Sequence, residues 1–317
     1  MAGRLGIVHA GEQSARAIAA HSRGALDRPL REPAELWVAA SSDEALLLGA
    51  FQRGAGLSGC RTLLRRGSGG PEVCVGEGTV HVALTLAHPG VLTACDERRI
   101  VNRSVRPLLR ALSKTMGGAG PAHFFGRDWV SVAHRPAAWV GFAHDTTTRR
   151  TVFEAFVAVR TSFAVADRPS LLGKAPGTLE SIAGRPLVPA RVAEAIAEAY
   201  ASGAEWGSLD PPDPLDEEEP SHLDTDPPWA ATCEEAIGML GAGPDARGTF
   251  RVGGDLLVSR DALARLEELA AHASDGDLGR VVDETLAAPG VALDGVRSLG
   301  SVRDVIARAR GFLNSDS

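Results

Sequence analysis

The stretch from Asp210 to Pro228 is the feature that most limits how this chain can fold. Its nineteen residues include eight acidic side chains and six prolines. Such a run cannot continue a helix, because proline lacks the amide hydrogen, and it has too little apolar surface to join a core. We therefore predict an acidic, proline-rich linker over residues 206–229. It would separate a large domain at 34–205 from a small domain at 230–317, and residues 1–33 are interpreted as a polar, alanine-rich leader.

Charge and composition argue against several functional classes. The formal net charge of −7 is opposite in sign to the basic surface that nucleic-acid binding requires. No apolar run approaches the roughly 20 residues of a membrane-spanning helix, and charged residues interrupt the first 33 positions. The four cysteines are far apart without a CxxC pair, so we expect neither a zinc site nor a disulfide framework. These features predict a cytoplasmic protein that has no nucleic-acid partner, membrane partner or metal-ligand cluster.

Strand and helix patterns alternate along the large domain, which is typical of an α/β fold. Runs of apolar and β-branched residues predict strands at 35–40, 60–65, 79–86, 128–133, 137–143 and 151–159. Apolar periodicity and start signals predict helices at 45–51, 97–113 and 192–200. In the small domain we predict a strand pair within 249–258, followed by three helices near 259–270, 278–287 and 301–312.

A glycine-rich loop between two of these strands is the strongest local signal for a ligand site. Residues 65–70 (RRGSGG) place two arginines at a strand end, directly before the loop. Glycines let backbone amides approach an anion, and adjacent arginines add bidentate charge for a phosphate or carboxylate. The spacing matches neither the P-loop nor the dinucleotide-binding fingerprint. A solvated surface turn is the alternative interpretation.

Residues 65–79 (RRGSGGPEVCVGEGT) resemble the substrate-binding motif of the lipoate-protein ligase family. Residues 100–112 (IVNRSVRPLLRAL) resemble the helix that follows in that family, and residues 125–130 (FGRDWV) resemble its GRND segment. Residues 133–143 (AHRPAAWVGFA) are similar to its GRKVSG strand pair, and residues 248–312 to its small accessory domain. The resemblance implies the fold of biotin and lipoate ligase catalytic domains: mixed and antiparallel sheets packed with helices, plus a small C-terminal α+β domain.

The resemblance also implies a reaction and a set of residues. Members of the family join ATP, with Mg²⁺, to lipoate or octanoate, and the acyl group of the adenylate then passes to a lysine of a carrier domain. By resemblance, the positions that bind substrate or adenylate are Arg65, Arg66, Ser68, Gly69, Gly70, Val73, Gly78, Arg127 and Gly141. The catalytic positions are Arg135 and Asp128, with Asp128 near phosphate and magnesium. His134 and His144 flank the presumed pocket, and His134 is the third catalytic candidate, as an acid or base; a partly exposed structural histidine is the alternative.

Three positions depart from the family's pattern. Pro136 stands where a lysine is expected, Pro71 replaces the third loop glycine, and Val75 replaces the loop histidine. A preorganised positive group that offsets charge developing during adenylation contributes on the order of 3 kcal/mol. The departures therefore leave two hypotheses: an ATP-dependent ligase that uses other cations, or a protein of the same fold that binds a small carboxylate, nucleotide or carrier domain without adenylation. A third reading is a scaffold whose acidic linker recruits a basic partner.

Few residues are available to replace the missing lysine. Arg135 and Arg127 are candidates for a positive charge near phosphate. Lys174, one of only two lysines, is interpreted as a solvated surface residue. Trp129 and Trp139, in adjacent predicted strands, are expected to fill the core or to narrow the acyl pocket.

Overall fold

The computed structural model describes residues 3–55, 62–126, 128–163, 171, 173–212 and 226–315. Sixteen strands and seven α-helices lie within these ranges. The strands are β1 (Leu5–Gln13), β2 (Ala34–Ser41), β3 (Ala45–Leu48), β4 (Leu63–Arg65), β5 (Val73–Val75), β6 (Thr79–Leu86), β7 (Ala122–Phe124), β8 (Trp129–Val132), β9 (Arg135–His144), β10 (Thr151–Ala158), β11 (Trp206–Ser208), β12 (Ala231–Glu234), β13 (Met239–Pro244), β14 (Phe250–Gly254), β15 (Leu257–Val258) and β16 (Leu293–Asp294). The helices are α1 (Ala15–Gly24), α2 (Ile100–Met116), α3 (Leu179–Ala183), α4 (Pro189–Ala201), α5 (Arg260–His272), α6 (Leu278–Leu286) and α7 (Leu299–Ser315).

A mixed eight-stranded sheet forms the centre of the large domain. Its strand order is β11-β1-β2-β6-β10-β9-β8-β7. Strand β1 pairs in parallel with β2 and β11. All other neighbours in this order, from the pair β2-β6 to the pair β8-β7, are antiparallel. Every residue of β6 and β10 is buried, because both faces of the sheet are covered. The predicted mixed sheet packed with helices is confirmed.

Two layers cover this sheet. Helices α2 and α4 pack on one face through apolar residues that include Leu108 and Ile196. Helix α1 and a small sheet of order β4-β3-β5 lie on the other face. The helix predicted at 45–51 is wrong, because residues 45–48 form the central strand of the small sheet. The apolar run Ala45–Leu48 is too short to distinguish the helical period from the strand period.

The N-terminal segment, described from residue 3 onwards, is part of the large domain and not a separate leader. Strand β1 lies beside β2 across its whole length, and α1 begins after Ser14, whose hydroxyl accepts a hydrogen bond from the amide of Ala17 at 3.0 Å. Strand β11, in the predicted linker, pairs with β1. The structure thus corrects both boundaries: the large domain includes the N-terminal segment and extends to residue 208.

The small domain has its own apolar core. A sheet of order β12-β13-β14 and the strand pair β15-β16 pack against helices α5 to α7. The predicted strand pair within 249–258 is wrong in one respect, since β14 and β15 lie in different sheets. Ser259 precedes α5 as expected. In the described part of the chain no helix is long and apolar enough to cross a membrane.

Candidate functional site

The glycine loop, residues 67–71, lies at the junction of the main sheet and the small domain. The amide of Gly69 donates a hydrogen bond to the carbonyl oxygen of Phe142 in β9 at 2.8 Å. The amide of Gly70 donates to the carbonyl oxygen of Leu256, in the small domain, at 2.9 Å. Two of the amides that the sequence assigned to an anion are therefore bonded to carbonyl oxygens of the protein itself.

Arg66 supports this loop from beneath. Its side chain is only 1% exposed. The guanidinium donates to the Ser68 hydroxyl at 3.0 Å and, through Nη2, to the carbonyl oxygens of Gly69 at 3.1 Å and Pro71 at 2.7 Å. A further bond reaches the carbonyl oxygen of Leu47 at 3.3 Å. Arg66 consequently fixes the path of the loop from within.

Glu154 is the buried anion to which the loop is tied. It lies in the middle of β10 and is fully buried. Its carboxylate accepts hydrogen bonds from the hydroxyls of Ser68 and of Ser22, the latter at 2.9 Å, and contacts His81 Nε2 at 3.0 Å. Burial alone would raise the pKa of Glu154, but the hydrogen bonds from His81 and Ser68 and the positive charge of Arg66 hold it below its ordinary value. Glu154 is therefore ionised at neutral pH.

His21 extends this buried polar layer towards β2. Its ring stacks on Trp37 with centroids 3.9 Å apart, and its Nδ1 lies 3.0 Å from Arg28 Nη1. Burial, followed by the charge of Arg28, lowers the pKa of His21 well below its ordinary value. The imidazole is thus neutral, and its Nδ1 accepts a hydrogen bond from the Arg28 guanidinium.

Gly141 is required for the loop to approach the sheet. It pairs with Glu154 across β9 and β10. A Cβ at this position would lie 2.3 Å from Oγ of Ser68 and 3.1 Å from the carbonyl oxygen of Gly69. Gly70 adopts φ +101°, a conformation that other residues rarely take. Arg66, Ser68, Gly69, Gly70 and Gly141 are therefore brought together, around Glu154.

Other predicted substrate-binding residues lie elsewhere. Val73 is buried in β5 as part of the core beneath the small sheet. Gly78, at φ +87°, forms the turn before β6, and its carbonyl oxygen accepts from the amides of Val159 at 3.1 Å and Arg160 at 3.3 Å. Arg127 lies outside the described residues.

Asp128 directly precedes the first of two paired tryptophans. It is fully buried, and its carbonyl oxygen accepts from the amide of Val140 at 2.7 Å. The next residue, Trp129, pairs with Trp139 across β8 and β9. Both indole rings are buried between the main sheet and the small sheet, and Phe163 packs edge-on to Trp139 at 6.0 Å. Aromatic rings therefore fill this part of the space between the two sheets.

The remaining predicted catalytic residues lie at the β8–β9 turn. His134, at φ +64°, is exposed in the turn and stacks on His123 with centroids 6.5 Å apart. Arg135 is also exposed, and its Nη2 donates to the carbonyl oxygen of Pro176 at 3.0 Å. The bond to Pro176 joins Arg135 to the segment that precedes α3. Neither this bond nor the His134–His123 contact involves the glycine loop.

Lys174 lies in the segment that contacts Arg135 and is not the fully solvated residue that the sequence suggested. Its side chain is half-buried, with Nζ 5.4 Å from the ring centroid of Trp129 and 5.6 Å from that of Phe125. The same segment is held to the turn because the amide of Gly177 donates to the carbonyl oxygen of Pro136 at 2.9 Å. The segment that carries Lys174 is thus bonded to Arg135 and Pro136, at the start of β9.

Arg65 points away from the loop. Its Nη1 donates to three carbonyl oxygens of the turn after β3: Gly49 at 2.9 Å, Ala50 at 3.1 Å and Gln52 at 2.7 Å. It lines a cavity of about 620 Å³ between the two domains. Arg53 also lines this cavity, with its guanidinium 3.7 Å from the ring centroid of Trp229.

The glycine loop does not fit a phosphate group in this arrangement of the two domains. A Cβ at Gly69 would lie 2.1 Å from the carbonyl oxygen of Leu256, so the small domain occupies the space above the loop. The Gly70 amide donates its one hydrogen to the Leu256 carbonyl oxygen, so it cannot donate to an anion as well. No group of three His, Cys, Asp or Glu side chains within the described ranges is placed to hold a metal ion.

No model of a protein family matches the chain, and no curated protein matches it. Solved structures do match. The crystal structure of LipL1 from P. falciparum, in complex with lipoate, has a TM-score of 0.62 at 11% identity and covers 95% of this chain and 99% of its own. A bi-partite lipoate protein ligase from Thermoplasma acidophilum has a TM-score of 0.50 at 14% identity, covering 67% of this chain and 88% of its own. From its sheet order, its accessory domain and these matches, the chain has the fold of the lipoate-protein ligases.

Proposed function

We propose that this protein is a lipoate-protein ligase-like enzyme. It would activate lipoate or octanoate with ATP and pass the acyl group to a lysine of a carrier domain. The fold supports this general class of reaction. The observation that carries the proposal is the position of Lys174, whose Nζ lies 5.4 Å from the ring of Trp129 in a segment bonded to Pro136.

Lys174 would supply the positive charge that Pro136 cannot. An ammonium held over aromatic rings is positioned by cation–π attraction while its hydrogens stay available for oxygen acceptors. Negative charge grows on the carboxylate oxygen and the α-phosphate as a mixed anhydride forms, and a preorganised ammonium stabilises that charge. We therefore assign Lys174 to the carboxyl end of the acyl substrate.

ATP would supply the adenylyl group, and Mg²⁺ would balance phosphate charge. Among the described residues we assign Asp128, next to Trp129 in sequence, to this polar region. The glycine loop could contribute its Gly70 amide only after the small domain has moved away from it, because Leu256 now accepts that hydrogen bond.

The test is formation of acyl-AMP and pyrophosphate by the full chain with ATP, Mg²⁺ and either octanoate or lipoate. Lys174→Ala should lower the rate by about 10²- to 10³-fold, the usual effect of removing one charge-stabilising group. Lys114→Ala is the matched control, because that lysine is an exposed residue of α2, 79% solvent-accessible and paired with Glu198. Wild-type rates in Lys174→Ala would rule out the assignment.

A relocation variant tests the position as well as the charge. Adding Pro136→Lys to Lys174→Ala should restore part of the lost rate, because it returns a lysine to the position where the resemblance expects one. Transfer is measured separately, as octanoylation of an added lipoyl carrier domain. An adenylate that forms without transfer would support activation and oppose the carrier as partner.

Binding without adenylation is the second candidate function. The bonds from Gly69 to Phe142 and from Gly70 to Leu256 favour it, because both amides are already satisfied. It predicts that octanoate, lipoate or a nucleotide raises the melting temperature while no acyl-AMP appears. Detected acyl-AMP would eliminate it.

A further inference from the structure

A second cavity lies on the other face of the main sheet. It has a volume of about 270 Å³ and is enclosed by the end of β6, helix α2 and the end of α4. Side chains alternate between the faces of a strand, so Leu84 and Leu86 face this cavity whereas His81 faces Glu154 and the glycine loop. The cavity is therefore separated from the glycine loop by the thickness of the sheet.

The floor of this cavity is apolar. Leu84, Leu86 and Ile100 are at most 3% exposed, and the ring of Tyr200 closes one side. The Tyr200 hydroxyl donates to the carbonyl oxygen of Ser104 at 2.7 Å, so it is already satisfied. Such a surface has no strong hydrogen-bonding group to offer, and it favours an aliphatic occupant.

The rim of the cavity is positively charged. Arg103, Arg106 and Arg110 come from successive turns of α2, and no carboxylate belongs to the lining. Arg110 donates to the carbonyl oxygen of Ala199 at 3.1 Å. In the described chain, Arg103 and Arg106 have no side-chain hydrogen bond and no ion pair. Guanidinium groups that no protein acceptor occupies are suited to a carboxylate.

We propose that this cavity binds an amphiphilic monocarboxylate, such as a medium-chain fatty acid, with its tail on the leucines and its carboxylate at Arg103 and Arg106. The tail would cover the apolar lining that is still accessible, at Leu92 and Pro107 beside the buried leucines, and the head would receive charge-assisted hydrogen bonds. The volume suits a ligand smaller than the usual drug-sized occupant of a pocket. This site stands independently of the proposed ligase reaction.

Cys95 provides a local reporter. Its thiol lies in the lining of the cavity and is partly exposed, so an occupant should shield it from a maleimide. Cys233 is also partly exposed but lines a separate surface pocket of the small domain, which makes it an internal control. The alkylation rate of each cysteine is followed by mass spectrometry of its peptide, with octanoate as the probe.

Octanoate should slow alkylation of Cys95 in a saturable way and leave Cys233 unaffected. The double variant Arg103→Gln, Arg106→Gln should weaken this protection about tenfold, as expected for loss of charge-assisted hydrogen bonds. Arg98→Gln, an exposed arginine outside the lining, should keep it. Leu92→Trp, a partly buried lining residue, should abolish protection by filling the cavity while all arginines remain.

Four results would overturn the proposal. The first is no protection of Cys95 by octanoate, and the second is equal protection by octanol, which would remove the role of the arginines. Equal protection by butyrate or inorganic phosphate would show an anion site without a tail requirement. Anionic phospholipid vesicles are added as a separate arm, and protection by vesicles alone would replace the free carboxylate with a lipid surface. Because Cys95 reports only on this cavity, the outcome is independent of whether acyl-AMP forms.

Discussion

The hydroxyl of Ser68, in the glycine loop, donates a hydrogen bond to the carboxylate of Glu154, in the middle of the main sheet. The loop is thereby anchored to a fully buried anion, and Ser22 and His81 complete the set of partners. Ser68, which the resemblance assigned to ligand binding, is thus a hydrogen-bond donor to the buried charge of Glu154 in this arrangement.

We expect Glu154→Gln to lower the free energy of unfolding by about 3–5 kcal/mol, because it removes one member of a buried charge network and turns an acceptor into a donor. Ser22→Ala should have a smaller effect of about 1–3 kcal/mol, since it removes the bond to Glu154 and the bond from the Gly67 amide but leaves the carboxylate its other partners. Urea denaturation followed by circular dichroism measures both. Equal stability of Glu154→Gln and wild type would show that the network contributes nothing.

Stability should fall as the pH is lowered from 7 to 5. The folded state keeps the pKa of His21 well below its ordinary value, whereas in the unfolded chain it titrates near 6.5. Below that pH the unfolded state binds the proton and the folded state does not, so the free energy of unfolding decreases by up to about 1.4 kcal/mol per pH unit. His144, whose pKa is also lowered by burial, acts in the same direction.

The histidine contribution can be isolated with His21→Gln. In this variant the free energy of unfolding should depend less steeply on pH between 6.5 and 5, by the contribution of about one proton. The contribution of His144 should remain. Glu154 contributes only at lower pH, because its folded pKa is depressed and its stabilisation is lost as the pH falls through that value. Identical slopes for the variant and the wild type, measured by urea titration at each pH, would contradict the role of His21.

Gly141→Ala should displace the glycine loop. The added methyl group would lie 2.3 Å from the Ser68 hydroxyl oxygen, and overpacking of this kind destabilises by about 1–3 kcal/mol. Gly118→Ala is the matched control, because an added methyl group meets no atom within 4 Å there and should be neutral or stabilise slightly. Hydrogen exchange of the Gly69 and Gly70 amides should accelerate in the first variant alone.

Trp139→Ala should open space between the two sheets. Truncating this buried ring is expected to destabilise by about 3–5 kcal/mol. Trp206→Ala, at a ring that is 51% exposed, should change stability by less than about 1 kcal/mol. If Trp139 narrows the acyl groove, octanoate should raise the melting temperature of Trp139→Ala more than that of the wild type. An equal shift in both proteins would place the groove elsewhere.

Long periodic segments of the sequence predicted their structure well. The strand at 79–86 coincides with β6, and the periodic helix at 97–113 overlaps α2. The short segments were harder, because four apolar residues at 45–48 satisfy helix and strand patterns equally. The strand at 5–13 was missed because its second half, residues 9–13, is mostly polar and is exposed or only partly buried. No apolar alternation therefore marks it.

The candidate site was predictable only in part. The motif indicated that Arg66, Ser68 and Gly141 meet, but not that their partner is an acid on β10. The one local signal was Glu154 itself, a single charge in an otherwise apolar strand. Lys174 could not be placed from sequence, because its approach to Trp129 depends on the long-range bond between Gly177 and Pro136.

The bond between Gly70 and Leu256 has a consequence for affinity. Any ligand that needs this amide competes with an internal acceptor, so its apparent dissociation constant is divided by the fraction of molecules in which the two domains have parted. Substitutions at the interface, far from any ligand atom, would then tighten binding by enlarging that fraction. The small domain would then set the affinity of the loop for such a ligand without contacting the ligand itself.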